Sequence, residues 1–415
     1  MEEEKVLEVA SLAGHIQLEN GAEISRVEET MERISNHFGI DSGNFFVLSN
    51  GIFTTGNTGY AKVEFIPFKG AQLERVVAVN QLSRDISEGK LSLEEAKVKL
   101  LDIRKMKSKP EWEQILGSAV GSAGFCAIFG GSFLDSAAAF VVGAILWTFV
   151  AFVSAPHLSK IIGNILGGFL GTVLCLLFHR FGFGESLGNM IVGSLIPLIP
   201  GVAFTNGIRD IAGEDYIAGA TRLMDALMVF FCIAAGVVLS FMSWALFSGS
   251  VPVVNGTEPD PFMGRLACQA VAAFVGTLGF AVIFGVPRRN YIQTAVVATV
   301  GWISYMLLNL HTGLGVVGAT LFATVVVAVF SRWFARLFKT PQTIFLITGI
   351  FPMIPGGGIF WTVFFFVSRR IAPAAHSGAM ALAVTLAIVL GIVLVSSLPK
   401  QLFSKKRRKT AKKNN

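Results

Sequence analysis

Residues 196–201 read IPLIPG, and residues 351–356 read FPMIPG. Each motif sets two prolines three positions apart inside an apolar run. A proline in a helix interior removes a hydrogen bond and costs roughly 3 kcal/mol. A chain that interrupts its helices twice in the same way has a use for the interruption. The motifs are 155 residues apart, and sliding the chain by that offset aligns more than prolines. GSAGFCAIFG (121–130) falls on GTLGFAVIFG (276–285), Trp147 on Trp302 and Gly163 on Gly318, with no gap across some 80 residues. The chain therefore carries an internal repeat.

Composition places both copies in a bilayer. The chain has 415 residues, of which 53% are hydrophobic and only 15% charged, with a mean hydropathy of +0.64. Soluble domains carry about 25% charged residues. The deficit is local. Residues 1–110 hold 14 Lys/Arg and 17 Asp/Glu, a soluble balance, whereas residues 111–399 hold 12 and 10. The stretch KQLFSKKRRKTAKK then adds eight positive charges and no negative ones.

From Trp112 onward ten apolar stretches approach the roughly 20 residues that a span needs. They are 113–131, 136–155, 160–178, 187–206, 223–246, 264–285, 291–310, 313–331, 343–366 and 377–397. Each copy thus holds five, an odd number, so the second enters the membrane in the opposite sense. The fold class expected is an all-α polytopic membrane domain, with ten transmembrane helices as a 5+5 inverted repeat, preceded by a small cytoplasmic α+β domain. The boundaries are 1–110, 111–250, 251–398 and a basic cytoplasmic tail, 399–415. Inverted repeats belong to carriers that alternate access to a midplane site.

Lys/Arg placement sets the orientation. RKMKSK before the first stretch puts the N-terminus in the cytoplasm, and Lys160, Arg209, Arg222, Arg288, Arg289, Arg332, Arg336 and Lys339 follow suit. Arg180, Arg369 and Arg370 fall on the other side. The loop SGSVPVVNGTEPDPFMG has no Lys or Arg and lies outside; its NGT triplet has the form of a glycosylation acceptor.

Several classes are disfavoured. MEEEKVLEVA lacks the basic region and apolar core of a signal peptide. Cys126, Cys175, Cys232 and Cys268 all lie in apolar runs without CxxC spacing, so packing is expected of them rather than a disulfide or metal site. There is no GxxxxGK[ST], HExxH or GxSxG pattern. No enzyme, cofactor or nucleic-acid partner is expected. The partners expected are a small-molecule substrate (an amino acid or a dicarboxylate), protons and membrane lipid, with a homo-oligomer left open.

In the soluble part, Ile24, Val27, Met31, Ile34 and Phe38 make one helical stripe. NFFVLSNGIFTT and AKVEFIPF read as strands about the break GNTGY. AQLERVVAVNQLSRDIS and SLEEAKVKLLDIRKM read as helices, the latter opened by a Ser92–Glu95 capping box.

The prolines point to the site. Pro197, Pro200 and Gly201 would open backbone groups inside the fourth stretch, and Pro352, Pro355 and Gly356 inside the ninth. Paired interrupted helices in corresponding halves mark transport sites; kinked structural helices are the alternative. The copies differ in charge. VAFTNGIRDIAGEDYIAGATRLMDA follows the first break and GGIFWTVFFFVSRRIAPAAHSGAMA the second. Thr205, Asn206, Arg209, Asp210, Arg222 and Asp225 therefore have no polar counterpart set. Asp210 and Asp225 are candidates for proton coupling, since a carboxylate in a span is costly and titrates with access. Arg209 and Arg222 would receive a substrate carboxylate or neutralise the aspartates; a solvated interfacial loop is the alternative. Asn164 and Asn189 are cavity-lining candidates or interhelical contacts.

NGAEISRVEETMERI (20–34), followed by PGVAFTNGIRDIAGEDYIAGATRLMDAL (200–227), closely resembles the threonine/serine exporter family. IFGVPRRN, GWISY and PMIPGGGIF resemble its C-terminal five-span module. The resemblance implies a plasma-membrane exporter of threonine and serine, of bacterial type, driven by the proton gradient. It carries site roles to Pro200, Gly201, Thr205, Asn206, Arg209, Asp210, Gly219 and Arg222, and makes Gly21, Glu23, Arg26, Val27 and Glu28 a soluble-domain motif. That motif reads as a cytoplasmic gate, or as an exposed helix face with paired charges. Two-chain members exporting succinate-type dicarboxylates keep that substrate as an alternative. A channel, or a membrane sensor with a cytoplasmic output domain, is the alternative from another class.

Overall fold

The computed structural model describes residues 2–40, 44–68, 70–249 and 264–398. Asn255 of the NGT triplet and the basic tail lie outside the described residues. The chain begins with α1 (Glu2–Glu19), α2 (Ile24–His37), β1 (Asn44–Leu48), β2 (Gly51–Thr55), β3 (Ala61–Phe65), α3 (Leu73–Ser87) and α4 (Leu93–Lys105). The strands form one antiparallel sheet in the order β1-β2-β3.

Two features here exceed the sequence reading. NFFVLSNGIFTT is two strands, because Ser49 and Asn50 turn the chain and pair Leu48 with Gly51. Helix α1 was not expected. Val6, Leu7, Val9, Ala10, Ala13, Ile16 and Leu18 are all buried, so it lies inside the unit and shows no single apolar stripe. Val9, Ala10, Ala13, Ile16 and Leu18 join Ile24, Val27, Met31 and Ile34 of α2, Ile52, and Val76 and Val79 of α3 in one core. Ser92 and Glu95 form the expected capping box, with Glu95 N–H donating to Ser92 Oγ at 3.3 Å and Ser92 N–H to Glu95 Oε2 at 2.8 Å.

Thirteen further α-helices follow among the described residues. They begin with α5 (Glu111–Ile128), α6 (Phe133–Phe149), α7 (Ala155–His157), α8 (Lys160–Arg180), α9 (Leu187–Leu195), α10 (Gly201–Ala212) and α11 (Tyr216–Ser248). Then come α12 (Leu266–Ile283), α13 (Tyr291–His311), α14 (Gly315–Leu337), α15 (Gln342–Ile350), α16 (Gly356–Val367) and α17 (Ile371–Ser396). By length and apolarity, eight helices among the described residues are able to cross a membrane, or nine if the pair α9–α10 is one span. Ten were expected. The remaining stretch is α5, whose first turn holds Glu111 and Glu113 and shortens its apolar part.

The double prolines break both helices alike. After α9, residues Ile196–Leu198 form a 3-10 turn, Ile199 is extended (φ −66°, ψ 129°), and Pro200 opens α10 with φ −79° and ψ 57°. After α15, Phe351–Met353 form the same turn, Ile354 has φ −61° and ψ 129°, and Pro355 opens α16 with φ −76° and ψ 47°. The first pair bends by 68°; the second runs on as one 25-residue span.

The two breaks touch. A methyl on Gly201 would lie 2.4 Å from the Phe351 ring and 3.6 Å from Ile354 Cδ1, and one on Gly356 would lie 2.6 Å from Ile199 Cδ1. Gly201 and Gly356 are offset images, as are Ile199 and Ile354, so each contact is the other's counterpart. The same exchange recurs between α5 and α12. There a methyl on Gly124 would lie 2.6 Å from Gly276 Cα, and one on Gly279 2.6 Å from Gly121 N. Only glycine permits backbones this near, the usual device of apolar helix pairs. Phe125 and Phe280, also offset images, meet edge to face with centroids 5.0 Å apart.

Candidate functional site

The GAEISR and TNGIRD motifs, nearly two hundred residues apart, form one buried polar cluster. Gly21 turns the chain from α1 into α2 at φ +91°, a conformation that favours glycine. Its carbonyl accepts from Asn206 Nδ2 of α10 at 2.8 Å. The first turn of α2 leaves backbone N–H groups without intrahelical partners. Glu23 occupies the N-cap position but makes no side-chain cap. Asp210, from α10, supplies one instead: Ile24 N–H donates to Asp210 Oδ1 at 3.0 Å. Arg222 of α11 donates to Asp210 Oδ2 at 2.7 Å and to the Ala22 carbonyl at 2.9 Å.

The Glu23 side chain, 1% exposed, turns to the membrane helices. Its Oε1 is 3.1 Å from Arg209 and 3.3 Å from Arg26, and its Oε2 accepts the Thr343 hydroxyl at 2.6 Å. Arg209 donates to the same hydroxyl at 2.6 Å, which closes a triangle. Burial by itself would raise the Glu23 carboxyl, but Arg209, Arg26 and Thr343 overcome it and hold the pKa at about 2. Glu28, one turn further along α2, is half-buried and goes the other way. Burial, then Asp215, Glu32 and Asp210, push it up to about 7, although Val47 N–H donates to it at 3.4 Å. Burial also raises Asp215, against the pull of Arg222.

Gly21, Glu23, Arg26, Asn206, Arg209, Asp210 and Arg222 are therefore brought together, with Glu28 at the margin. Thr205 is buried beside them, and its hydroxyl finds no partner among the described residues. Asp225 does not join. Its carboxylate pairs with Lys160 at 2.6 Å, both side chains about half exposed. Asn164 donates to the carbonyl of Lys160, a turn earlier in its own helix. Thr343 was missed, since a single threonine in an apolar run carries no sequence signal.

A cavity of about 320 Å³ lies at the second break. Pro352, Pro355, Gly357 and Gly358 line it from the break, Asn189 from α9, and Trp302 and Tyr305 from α13. Asn189 lines this cavity together with an aromatic wall that the sequence reading did not single out. The Trp302 and Tyr305 rings stack at 5.1 Å. Trp302 N–H donates to Gln269 Oε1 at 2.8 Å, and Gln269 in turn donates to the Ala127 carbonyl at 3.1 Å. A larger groove, about 870 Å³, opens between α3, α4 and residues 287–289, with charges of both signs. Among the described residues no group of three or more His, Cys, Asp or Glu is placed to hold a metal ion.

Residues 8–244 match a family model described as "Putative threonine/serine exporter", and residues 269–398 match a second model described as "Threonine/Serine exporter, ThrE". The "Threonine/serine exporter" of Corynebacterium glutamicum is 23% identical over 401 residues, covering 94% of this chain and 81% of that protein. The "Probable threonine/serine exporter" of Mycobacterium tuberculosis is 19% identical, covering 95% and 77%. The "Probable succinate transporter subunit YjjP" of Klebsiella aerogenes is 22% identical over 233 residues, 55% of this chain and 90% of that protein. No solved structure matches the chain.

Proposed function

The chain belongs to the threonine/serine exporter family, and from that premise we propose that it exports threonine and serine as a secondary transporter coupled to the proton gradient. The observation that carries this reading is the reciprocal contact of the two breaks, Gly201 with Ile354 and Gly356 with Ile199. Reciprocal contacts are what a two-fold axis between five-span repeats would produce, and opposed broken helices suit alternating access. A receptor or anchor has no need of them. A channel filter would be duplicated by the same axis, whereas the charged set stands beside one copy only.

In this reading residues 1–110 face the cytoplasm of a bacterial-type plasma membrane, and the Glu23–Arg209–Thr343 and Asp210–Arg222 contacts are the closed inner gate. Thr343 opens α15, and the cavity lies at its other end, about 13 Å along at 1.5 Å per residue. Loss of a proton-sensitive contact at one end would thus reach the break at the other. Asp210 is the coupling carboxylate, with Arg222 as its counter-ion.

Liposomes containing the purified protein and loaded with labelled threonine test the reading. Efflux is expected to rise with an imposed pH gradient. Efflux that follows voltage alone removes proton coupling, and absence of threonine efflux under either force removes the exporter.

A further inference from the structure

From the cavity at the second break we infer a binding site for a net-neutral, zwitterionic α-amino acid that excludes dicarboxylates. The inference rests on the exporter reading and deepens it by locating the substrate and fixing its charge class. None of the residues lining the cavity is Asp, Glu, Lys, Arg or His. A dianion entering such a space would leave two charges without counter-ions, which costs far more than any contact there returns. A zwitterion brings its own balance and asks only for dipoles and π-faces.

The cavity supplies both. Aromatic faces attract an ammonium group, and Trp302, Tyr305 and Trp361 are three of its walls. Trp302 is held in place by the Gln269 bond, so its face is set before any ligand arrives. Opposite in charge sense is the start of α16, a twelve-residue helix whose first three residues are Gly356, Gly357 and Gly358. Pro355 at its N-cap makes no side-chain cap, and Gly357 and Gly358 line the cavity with bare backbone. Amides at a helix start favour a carboxylate. Asn189 adds a side-chain amide from the first half. The volume, about 320 Å³, is at the small end of ligand pockets.

Binding of labelled L-threonine to the full-length purified protein tests the site, with L-serine and succinate as competitors. Two variants report on location. Gly357→Ala adds a methyl whose nearest neighbour is Val192 Cγ1 at 3.7 Å, ordinary contact, so the fold is expected to keep its melting temperature. Trp361→Leu removes one aromatic wall. Serine is expected to compete and succinate not to. Gly357→Ala is expected to weaken threonine binding about tenfold, a loss of about 1.4 kcal/mol. Wild-type affinity in both variants overturns the site while leaving the exporter reading in place. Competition by succinate overturns the charge class. Failure of the wild-type protein to bind threonine overturns the exporter reading itself, and the site with it.

Discussion

Asp210 Oδ1 accepts the backbone N–H of Ile24 at 3.0 Å, across 186 positions of chain. A carboxylate from a membrane-domain helix thereby caps a helix of the N-terminal unit, and Arg222 neutralises it on the other side at 2.7 Å.

Asp210→Asn keeps an oxygen for Ile24 but leaves Arg222 buried without its counter-charge. Breaking a buried pair in this way costs about 3–5 kcal/mol. The melting temperature in detergent is expected to fall, and gradient-driven threonine efflux to fall further than threonine exchange. Wild-type efflux in this variant would make Asp210 a docking residue with no part in coupling.

Glu23 carries an acid-side prediction. Its carboxyl sits at about 2 in the folded chain against an ordinary 4.5. Its stabilisation is therefore fully present above pH 4.5 and lost as pH falls toward 2. Glu23→Gln is expected to lower the melting temperature at pH 7, with the gap to wild type closing as the pH is brought down to 3. A gap that does not change with pH would show that the lost packing, not the charge, mattered.

For Glu28 the sign reverses. With a folded value of about 7 against 4.5, its protonated form is favoured by folding, and that contribution disappears as pH rises through 7. Glu28→Gln is expected to match wild type near pH 4 and to melt higher at pH 8. Equal melting at both values would place Glu28 in free solvent contact.

Gly201 and Gly357 make a matched pair for the breaks. A methyl on Gly201 meets the Phe351 ring at 2.4 Å, while one on Gly357 meets nothing nearer than 3.7 Å. Gly201→Ala is expected to destabilise by about 1–3 kcal/mol through overpacking, and Gly357→Ala by almost nothing. Thermal scans of the two purified variants decide it.

Much of this was legible in the chain because it was periodic or duplicated. The offset of 155 aligns the breaks in the sequence itself, and their backbone angles repeat within about ten degrees at Ile199 and Ile354, and at Pro200 and Pro355. Capping at Ser92 was equally plain. Helix α1 was hidden because burial on most sides erases the stripe that marks a surface helix. Asp225 looked like a coupling residue by its place in an apolar run; sequence spacing gave no sign that Lys160, 65 positions earlier, would meet it. Thr343 was hidden for a related reason, since its role comes entirely from two charged partners on distant segments. The aromatic cavity walls read as ordinary apolar residues until the fold closed them around a space.

The Glu23–Arg209–Thr343 triangle draws one residue from the turn into α2, one from α10 and one from α15. Together with the α5–α12 glycine seam, it ties segments far apart in sequence by contacts that owe nothing to the peptide link between them. Residues 8–244 and 269–398, which match two separate family models, thus meet through side-chain and backbone packing as well as through the chain. Residues 1–249 and 264–415, produced as separate chains, are expected to co-purify, and Arg209→Ala to weaken their association.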